Sequence, residues 1–255
     1  MQELEKLIAR AGELFSQSEY AVALTGAGHS TPSGIPDFRS PASGLWDQVD
    51  PMAVASIYAF RLHPQDFYDW IRPLARTMLE AQPNPAHYAL ARLEATGLLQ
   101  AVITQNIDSL HQEAGSQRVH EVHGHMREAT CIRCSQVVPS DALLEEFLDG
   151  DQVPRCACGG VMKPNVILFG EQLPLDVLTA ARQDTTDCDL MVVIGSSLTV
   201  EPVSDLPSMA LGHGARLIIV NYEPTYLDRR ADVLIHADLA EVLPRIADAA
   251  INQTL

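Results

Sequence analysis

The chain has 255 residues, 47% of them hydrophobic, and carries 17 Lys and Arg against 33 Asp and Glu, a net charge of −16. That hydrophobic content builds a core and excludes a disordered chain, and the length suits one large α/β domain or a large domain carrying a smaller one. An acidic surface keeps a protein soluble and repels nucleic-acid phosphates while tolerating lysine-rich peptides; no apolar run reaches the roughly 18 residues of a membrane helix, and the charges at Glu3, Glu5, Lys6 and Arg10 exclude a signal peptide, so the expectation is a cytoplasmic protein with no direct nucleic-acid or membrane partner.

Leu4, Leu7, Ile8, Ala11, Leu14 and Phe15 recur at three-and-four spacing and predict an amphipathic helix at the N-terminus. Apolar runs at 20–25, 100–104, 119–122, 190–194, 216–220 and 232–236 predict strands. Runs apolar at nearly every position mean strands covered on both faces, hence a mostly parallel sheet. Asn84-Pro85 supplies an N-cap and a first-turn proline for a helix that Gly97 stops. A last helix spans 241–250, with Pro244 early enough to be tolerated. Strand and helix alternate as in a doubly wound, Rossmann-like fold. Two stretches break the alternation: 38–80, with Pro41, Pro51, Pro64 and Pro73, and 126–164, which holds the cysteines. Both read as insertions forming a small domain, which leaves 1–37, 81–125 and 165–255 to the larger one.

Gly26, Ala27 and Gly28 follow the first strand, where an open α/β sheet binds its ligand and a glycine-rich turn lets backbone approach a phosphate. The dehydrogenase fingerprint is incomplete, because Thr31 stands where its third small residue would be, and a tight turn without ligand explains Gly-x-Gly nearly as well. The loop ends in Asp37, Phe38 and Arg39, a carboxylate, a ring and a guanidinium that can cover a bound nucleotide. After the second predicted strand, Gln105 and Asn106 suit ribose hydroxyls and Asp108 suits a carboxamide; the alternative is a turn that caps a helix begun by Ser109. Gly195, Ser196, Ser197 and Asn221 end two further strands, suited either to adenosine or to ordinary capping.

Cys131, Cys134, Cys156 and Cys158 form two close pairs, the pattern of a closed four-thiolate zinc site that stabilises a fold and leaves no open position for catalysis. Cys188 is left over as a small core residue. His120, His123 and His125 read as one short strand with His120 on the face opposite the other two, an alternation that opposes a three-histidine metal site. A general base is the better role, with His123 favoured because Gly124 leaves room around it.

The stretches GAGHSTPSGIPDFR (26–39), TQNIDSLH (104–111), His123-Gly124, the cysteine knuckles, KPNVILFGE (163–171), GSSLTVEP (195–202) and Asn221 in VNYEP occur in an order that resembles the sirtuins, NAD-dependent protein-lysine deacylases. The resemblance runs through nearly the whole chain. It implies a Rossmann-like large domain, a small zinc domain, and a cleft between them for NAD and an acetylated lysine peptide. It implies that the acyl oxygen attacks the nicotinamide ribose and expels nicotinamide, with Ile107 and Asp108 lining that pocket and Gln105 and Asn106 orienting the ribose. His123 then acts as general base, so that the 2′-oxygen attacks the alkylamidate; water completes the transfer to give free lysine and O-acetyl-ADP-ribose. Tyr222, Asp238 and Leu239 join the cofactor-binding set, and Val166, Ile167 and Phe169 hold the peptide as a strand.

Two departures qualify the match. The Cys156–Cys158 gap is one residue where two are commoner in the family. The branch that removes succinyl or malonyl groups carries Tyr with Arg three positions later, whereas here Tyr68 is followed by Ile71, with Arg72 one step further round the helix. Acetyl and other neutral acyl groups are therefore expected. Mono-ADP-ribosyl transfer to protein is the competing enzymatic reading, ahead of a hydride-transfer dehydrogenase and a non-enzymatic NAD-sensing scaffold.

Overall fold

The structure is a computed structural model that describes residues 2–38, 44–45, 49–141, 143, 147–148 and 152–254. Six parallel strands form the main sheet: β1 (Ala21–Thr25), β2 (Ala101–Thr104), β3 (Val119–Glu121), β7 (Leu190–Ile194), β8 (Arg216–Val220) and β9 (Val233–Ile235), in the order β3-β2-β1-β7-β8-β9. All six predicted strands are present. The chain builds outward from β1 on one side, then returns and builds outward on the other. The β1–β7 boundary is thus the switch point where an open sheet leaves a crevice at its carboxyl edge.

Alternation along each strand feeds two cores. Ala21 and Ala23 of β1 with Leu190, Val192 and Ile194 of β7 meet helices α1 (Gln2–Gln17), α5 (Pro85–Ala95) and α9 (Leu239–Asn252). Val22, Leu24, Met191 and Val193 face α7 (Leu175–Asp187) and α8 (Leu206–Gly212). Asn84 caps α5 as expected, its side chain accepting from the Ala86 N–H while His87 Nδ1 accepts from the Asn84 N–H. Helix α9 begins two residues earlier than predicted, because Asp238 caps it by accepting from the Ala240 N–H. Pro244 therefore lies inside the helix and withholds an N–H from the Ala240 carbonyl.

A second, antiparallel sheet of β5 (Val137–Pro139), β4 (Gly124–Cys131) and β6 (Met162–Val166) lies in the order β5-β4-β6. Beside it are α2 (Pro51–Val54), α3 (Ile57–Leu62) and α4 (Pro64–Glu80), whose Phe60, Phe67, Tyr68, Ile71 and Leu74 share a core with Leu110, Phe147, Val166 and Leu168. Cys188 is buried in the main fold, as expected. No helix among the described residues is long and apolar enough to cross a membrane.

Candidate active site

A cavity of about 590 Å³ opens at the carboxyl ends of β1, β2, β7 and β8. Of the residues assigned from sequence to cofactor or peptide, it is lined by Ala27, Gly28, Thr31, Asp37, Phe38, Gln105, Asn106, Ile107, Asp108, His123, Val166, Ile167, Phe169, Gly195, Ser196, Ser197, Asn221, Tyr222 and Leu239. Gly26 and Asp238 do not line it; Gly26 packs against Gly195 and Ser196, and Asp238 is the α9 cap. Arg39 lies outside the described residues. Sequence reasoning missed Ser30, whose hydroxyl donates to Asp108 Oδ2 at 2.6 Å and accepts from Asn106 Nδ2 at 3.0 Å. It also missed an apolar wall of Phe67, Ile71 and Leu74 from α4. A hydroxyl inside the glycine loop was the available signal for Ser30, whereas nothing local marks the α4 wall.

The glycine loop owes its path to backbone contact. The Gly26 N–H donates to the Ile194 carbonyl and the Gly28 N–H to the Gly195 carbonyl, while the His29 and Ser30 amides close turns inside the loop. These four amides are thus committed to the fold. A side chain at Gly28 would put its Cβ 2.9 Å from Gly195 Cα, so the two loops approach only as glycines. Asn106 is held from three sides: its N–H donates to Thr104 Oγ1, and its Nδ2 donates to the Gly26 carbonyl and Ser30 Oγ. Gln105 accepts from Ser196 Oγ at 3.4 Å, while its buried Nε2 has no hydrogen-bond partner. An orphaned amide donor on a cavity wall is costly unless a ligand accepts from it. The Gln105 donor and the close glycine backbones fit a nucleotide such as NAD.

The three neighbouring histidines do not share one strand. His120 is in β3, His123 in the turn that follows and His125 in β4, because the chain leaves the main sheet here for the second one. The expected alternation therefore fails. His120 is tied to the buried Asp184 at 2.6 Å, and only His123 reaches the cavity. Its Nδ1 lies 3.1 Å from the Gln105 carbonyl, which can only accept, so Nδ1 carries a proton. Burial raises the Asp108 carboxyl above its ordinary range, opposed by its hydrogen bond from Ser30. Among the described lining residues the side chains of fixed charge are all carboxylates: Asp37, Asp108, Glu171, Glu201 and Glu223.

The peptide segment continues β6. The Ile167 N–H donates to the His123 carbonyl at 2.8 Å, and Lys163 Nζ donates to the Val166 carbonyl at 2.7 Å while pairing with Glu171 at 3.0 Å. Both backbone groups of Phe169 are engaged by Ala55 and Ile57, so its ring is what it offers the cavity.

The four cysteines converge. Their sulfurs lie within 4.8 Å of one another, with Cys131–Cys158 at 3.5 Å and Cys134–Cys156 at 3.6 Å. Zinc with Zn–S of about 2.3 Å needs tetrahedral edges of about 3.8 Å, so the one-residue gap between Cys156 and Cys158 does not prevent convergence. The Cys134 and Arg133 backbone amides directed at Cys131 pull its thiol down to about 6 against the effect of burial, which favours the ligating thiolate. A Cβ on Gly160 would strike Cys131 Sγ at 2.6 Å, so the knuckle closes around a glycine. The donor set fits a structural zinc.

A switch-point cavity with an oriented imidazole, beside a module built on four thiolates, defines an enzyme that acts on a nucleotide ligand and carries a structural metal. The Sir2 family profile matches residues 26–202. A protein of Sulfurisphaera tokodaii named NAD-dependent protein deacetylase is 45% identical over 246 residues, 96% of this chain and 97% of its own. A solved structure described as the structural basis for the mechanism and regulation of Sir2 enzymes superposes with a TM-score of 0.92 at 45% identity, covering 98% of this chain and 99% of that one. A Sir2 variant solved with a deacetylated p53 peptide and 3′-O-acetyl ADP-ribose gives 0.89 at 41% identity, covering 94% and 96%. The chain belongs to the Sir2 family.

Proposed function

We propose that this chain is an NAD-dependent protein-lysine deacetylase that yields nicotinamide, free lysine and O-acetyl-ADP-ribose. The observation that carries this is His123, which lines a nucleotide-sized cavity with its ring held through Nδ1 by the Gln105 carbonyl and its own carbonyl bonded to the segment leading from β6. The relatives' names and the neighbour solved with peptide and acetyl-ADP-ribose support the same chemistry. NAD, when bound, supplies the ribose carbon that takes the acyl oxygen as nicotinamide leaves. Asn106 and Gln105 hold the ribose, and Ile107 and Asp108 hold the nicotinamide. His123 Nε2 takes the proton from a ribose hydroxyl, made basic by the Nδ1–H bond to the Gln105 carbonyl. The loop bearing Asp37, Phe38 and Arg39 excludes water, and Ser196, Ser197, Asn221, Tyr222 and Leu239 serve the adenosine half. Val166 and Ile167 meet the peptide backbone, with Phe169 packing beside it. Cys131, Cys134, Cys156 and Cys158 hold zinc for folding alone.

The acyl group is neutral. Tyr68 is buried and its hydroxyl donates to the Met162 carbonyl at 2.6 Å, while Arg72 is held by the Phe147 carbonyl and Asp69. Neither lines the cavity where an acyl carboxylate would enter, and the wall at this point is Ile71, Phe67 and Leu74. The division into a larger unit (1–37, 81–125 and 165–255) and a smaller one (38–80 and 126–164) is part of the proposal, two of its four joins falling within β4 and β6. So are a cytoplasmic setting, acetylated-lysine proteins as partners, and the absence of nucleic-acid or membrane partners. The test incubates pure protein with NAD and matched acetyl- and succinyl-lysine peptides. Nicotinamide release that requires the acetyl peptide is expected. Faster succinyl removal refutes the acyl preference, and ADP-ribose label appearing on protein in place of a soluble product refutes the deacetylase.

A further inference from the structure

Beneath the glycine loop, three imidazoles meet in the interior. His29 follows Gly28 in the loop, His87 is in the first turn of α5, and His111 is in α6 (Leu110–Glu113). Each is at most 1% exposed. Their ring centroids are 4.4 Å apart for His29–His87 and 4.9 Å for each of the other two pairs. One ring nitrogen from each lies within 4.8 Å of the others. Four buried nitrogens have no hydrogen-bond partner: both of His29, Nε2 of His87 and Nδ1 of His111. Buried polar atoms are nearly always paired, so four orphans on three rings in mutual contact call for a cause.

The surrounding bonds say which nitrogens hold lone pairs. Thr25 Oγ1 donates to Thr104 Oγ1, so it accepts from His111 Nε2 at 2.9 Å, and His111 Nδ1 holds the lone pair. His29 offers one lone pair in either neutral tautomer. His87 Nδ1 accepts the Asn84 N–H at 3.3 Å. Ligation through Nε2 shifts the His87 ring proton to Nδ1, and this long bond is the contact given up.

We propose that His29, His87 and His111 form a second metal site, separate from the cysteines, that takes a transition-metal ion of the kind imidazole prefers, such as zinc or cobalt. Metal–nitrogen bonds of about 2.1 Å need nitrogens about 3.4 Å apart, which the rings reach by closing on a shared centre. The ion ties the loop after β1 to α5 and α6 directly under the cavity. That this braces NAD binding rests on the deacetylase reading; occupancy of the site does not.

The test uses whole protein produced with cobalt as the only added transition metal, then freed of loose ions by gel filtration. Cobalt per chain and the visible spectrum are measured for wild type, His29→Leu and His87→Leu. Two cobalt ions per chain are expected in wild type, one with thiolate charge-transfer bands and one without. Each variant should fall to one ion, with the thiolate bands intact. A single, purely thiolate-bound ion in wild type overturns the site. So do two ions in both variants, which places the second on exposed histidines. If a variant does not fold, X-ray absorption on wild type decides: nitrogen scatterers with imidazole multiple scattering support the site, and sulfur alone overturns it.

Discussion

Gly195→Ala probes the contact on which the nucleotide loop depends. Gly195 has φ +59°, and a Cβ there would lie 2.3 Å from the His29 nitrogen and 2.6 Å from the Gly28 carbonyl carbon. Ordinary contact begins at 3.4 Å, so two backbones must separate by about an ångström. Neither yields easily, because β1 and β7 are in register through Thr25↔Ile194 immediately before them. The left-handed backbone costs about 1–2 kcal/mol with a side chain. Overpacking adds about 1–3 kcal/mol, and losing the Gly28 N–H bond to the Gly195 carbonyl about 0.5–1.5 kcal/mol. The sum, about 2.5–6.5 kcal/mol, corresponds to a melting point lower by about 5–26 °C in a chain of this size. Gly34→Ala is the control, since Gly34 has φ +88° but nothing within 4 Å of its Cβ; it keeps the backbone cost of about 1–2 kcal/mol and loses the clash. Thermal unfolding of both variants, with KM for NAD and for acetyl peptide, separates the effects. Gly195→Ala should melt well below Gly34→Ala and raise KM for NAD more than for peptide. Equal melting points for the two variants would refute the reasoning.

His123→Ala should abolish turnover yet leave NAD binding largely in place by calorimetry; retained turnover removes His123 from the chemistry. Cys131→Ser should lose the thiolate-bound zinc and unfold the β4–β6 module, because structural zinc carries about 10–16 kcal/mol of apparent binding free energy; unchanged metal content and melting contradict this. Stability should fall on acidification. Burial pushes His87 down to about 4 and holds His29 and His111 well below their ordinary value, whereas the unfolded chain takes up these protons near pH 6.5. The unfolded state then binds more protons, so stability present above pH 6.5 is lost as pH falls towards 4, by about 3 kcal/mol for His87 alone. Urea midpoints at pH 7.5 and pH 5 measure it, and equal midpoints refute the burial argument.

Strands such as β1 and β7 were legible because a sheet covered on both faces needs apolar residues at successive positions. Asn84-Pro85 was legible because an N-cap and a first-turn proline are local chemistry. Most of the cavity was legible because switch-point loops follow strands directly, and Gly26–Gly28, Gln105–Asp108 and Gly195–Ser197 each do so. What escaped depends on distant segments. Phe67, Ile71 and Leu74 repeat like any helix face, and only the tertiary fold turns that face to the cavity. His123 was read in a strand because alternation says nothing about where a chain leaves one sheet for another. The start of α9 moved because Asp238, which resemblance had placed at the cofactor, caps a helix.

The zinc module lies outside the chemistry yet connects to it through β6. Cys131 pairs with Met162 at one end of the β4–β6 ladder, and Gly124 pairs with Val166 at the other. One residue beyond, the Ile167 N–H holds the His123 carbonyl, and on its other side the His123 ring is anchored to the Gln105 carbonyl at the end of β2. The proposed base is thus strung between the two sheets, its backbone on the metal-built one and its ring on the nucleotide-binding one. Removing the metal frays the ladder from Cys131 and Met162 towards Val166. Cooperative loss of antiparallel pairing releases the peptide segment and the His123 backbone together, whereas β1, β2 and β7 keep the nucleotide loops in register without any contribution from β6. A metal held by the four cysteines would therefore act on the reaction through one strand, and Cys131→Ser, which leaves His29, His87 and His111 in place, should raise KM for peptide and lower kcat before NAD affinity changes.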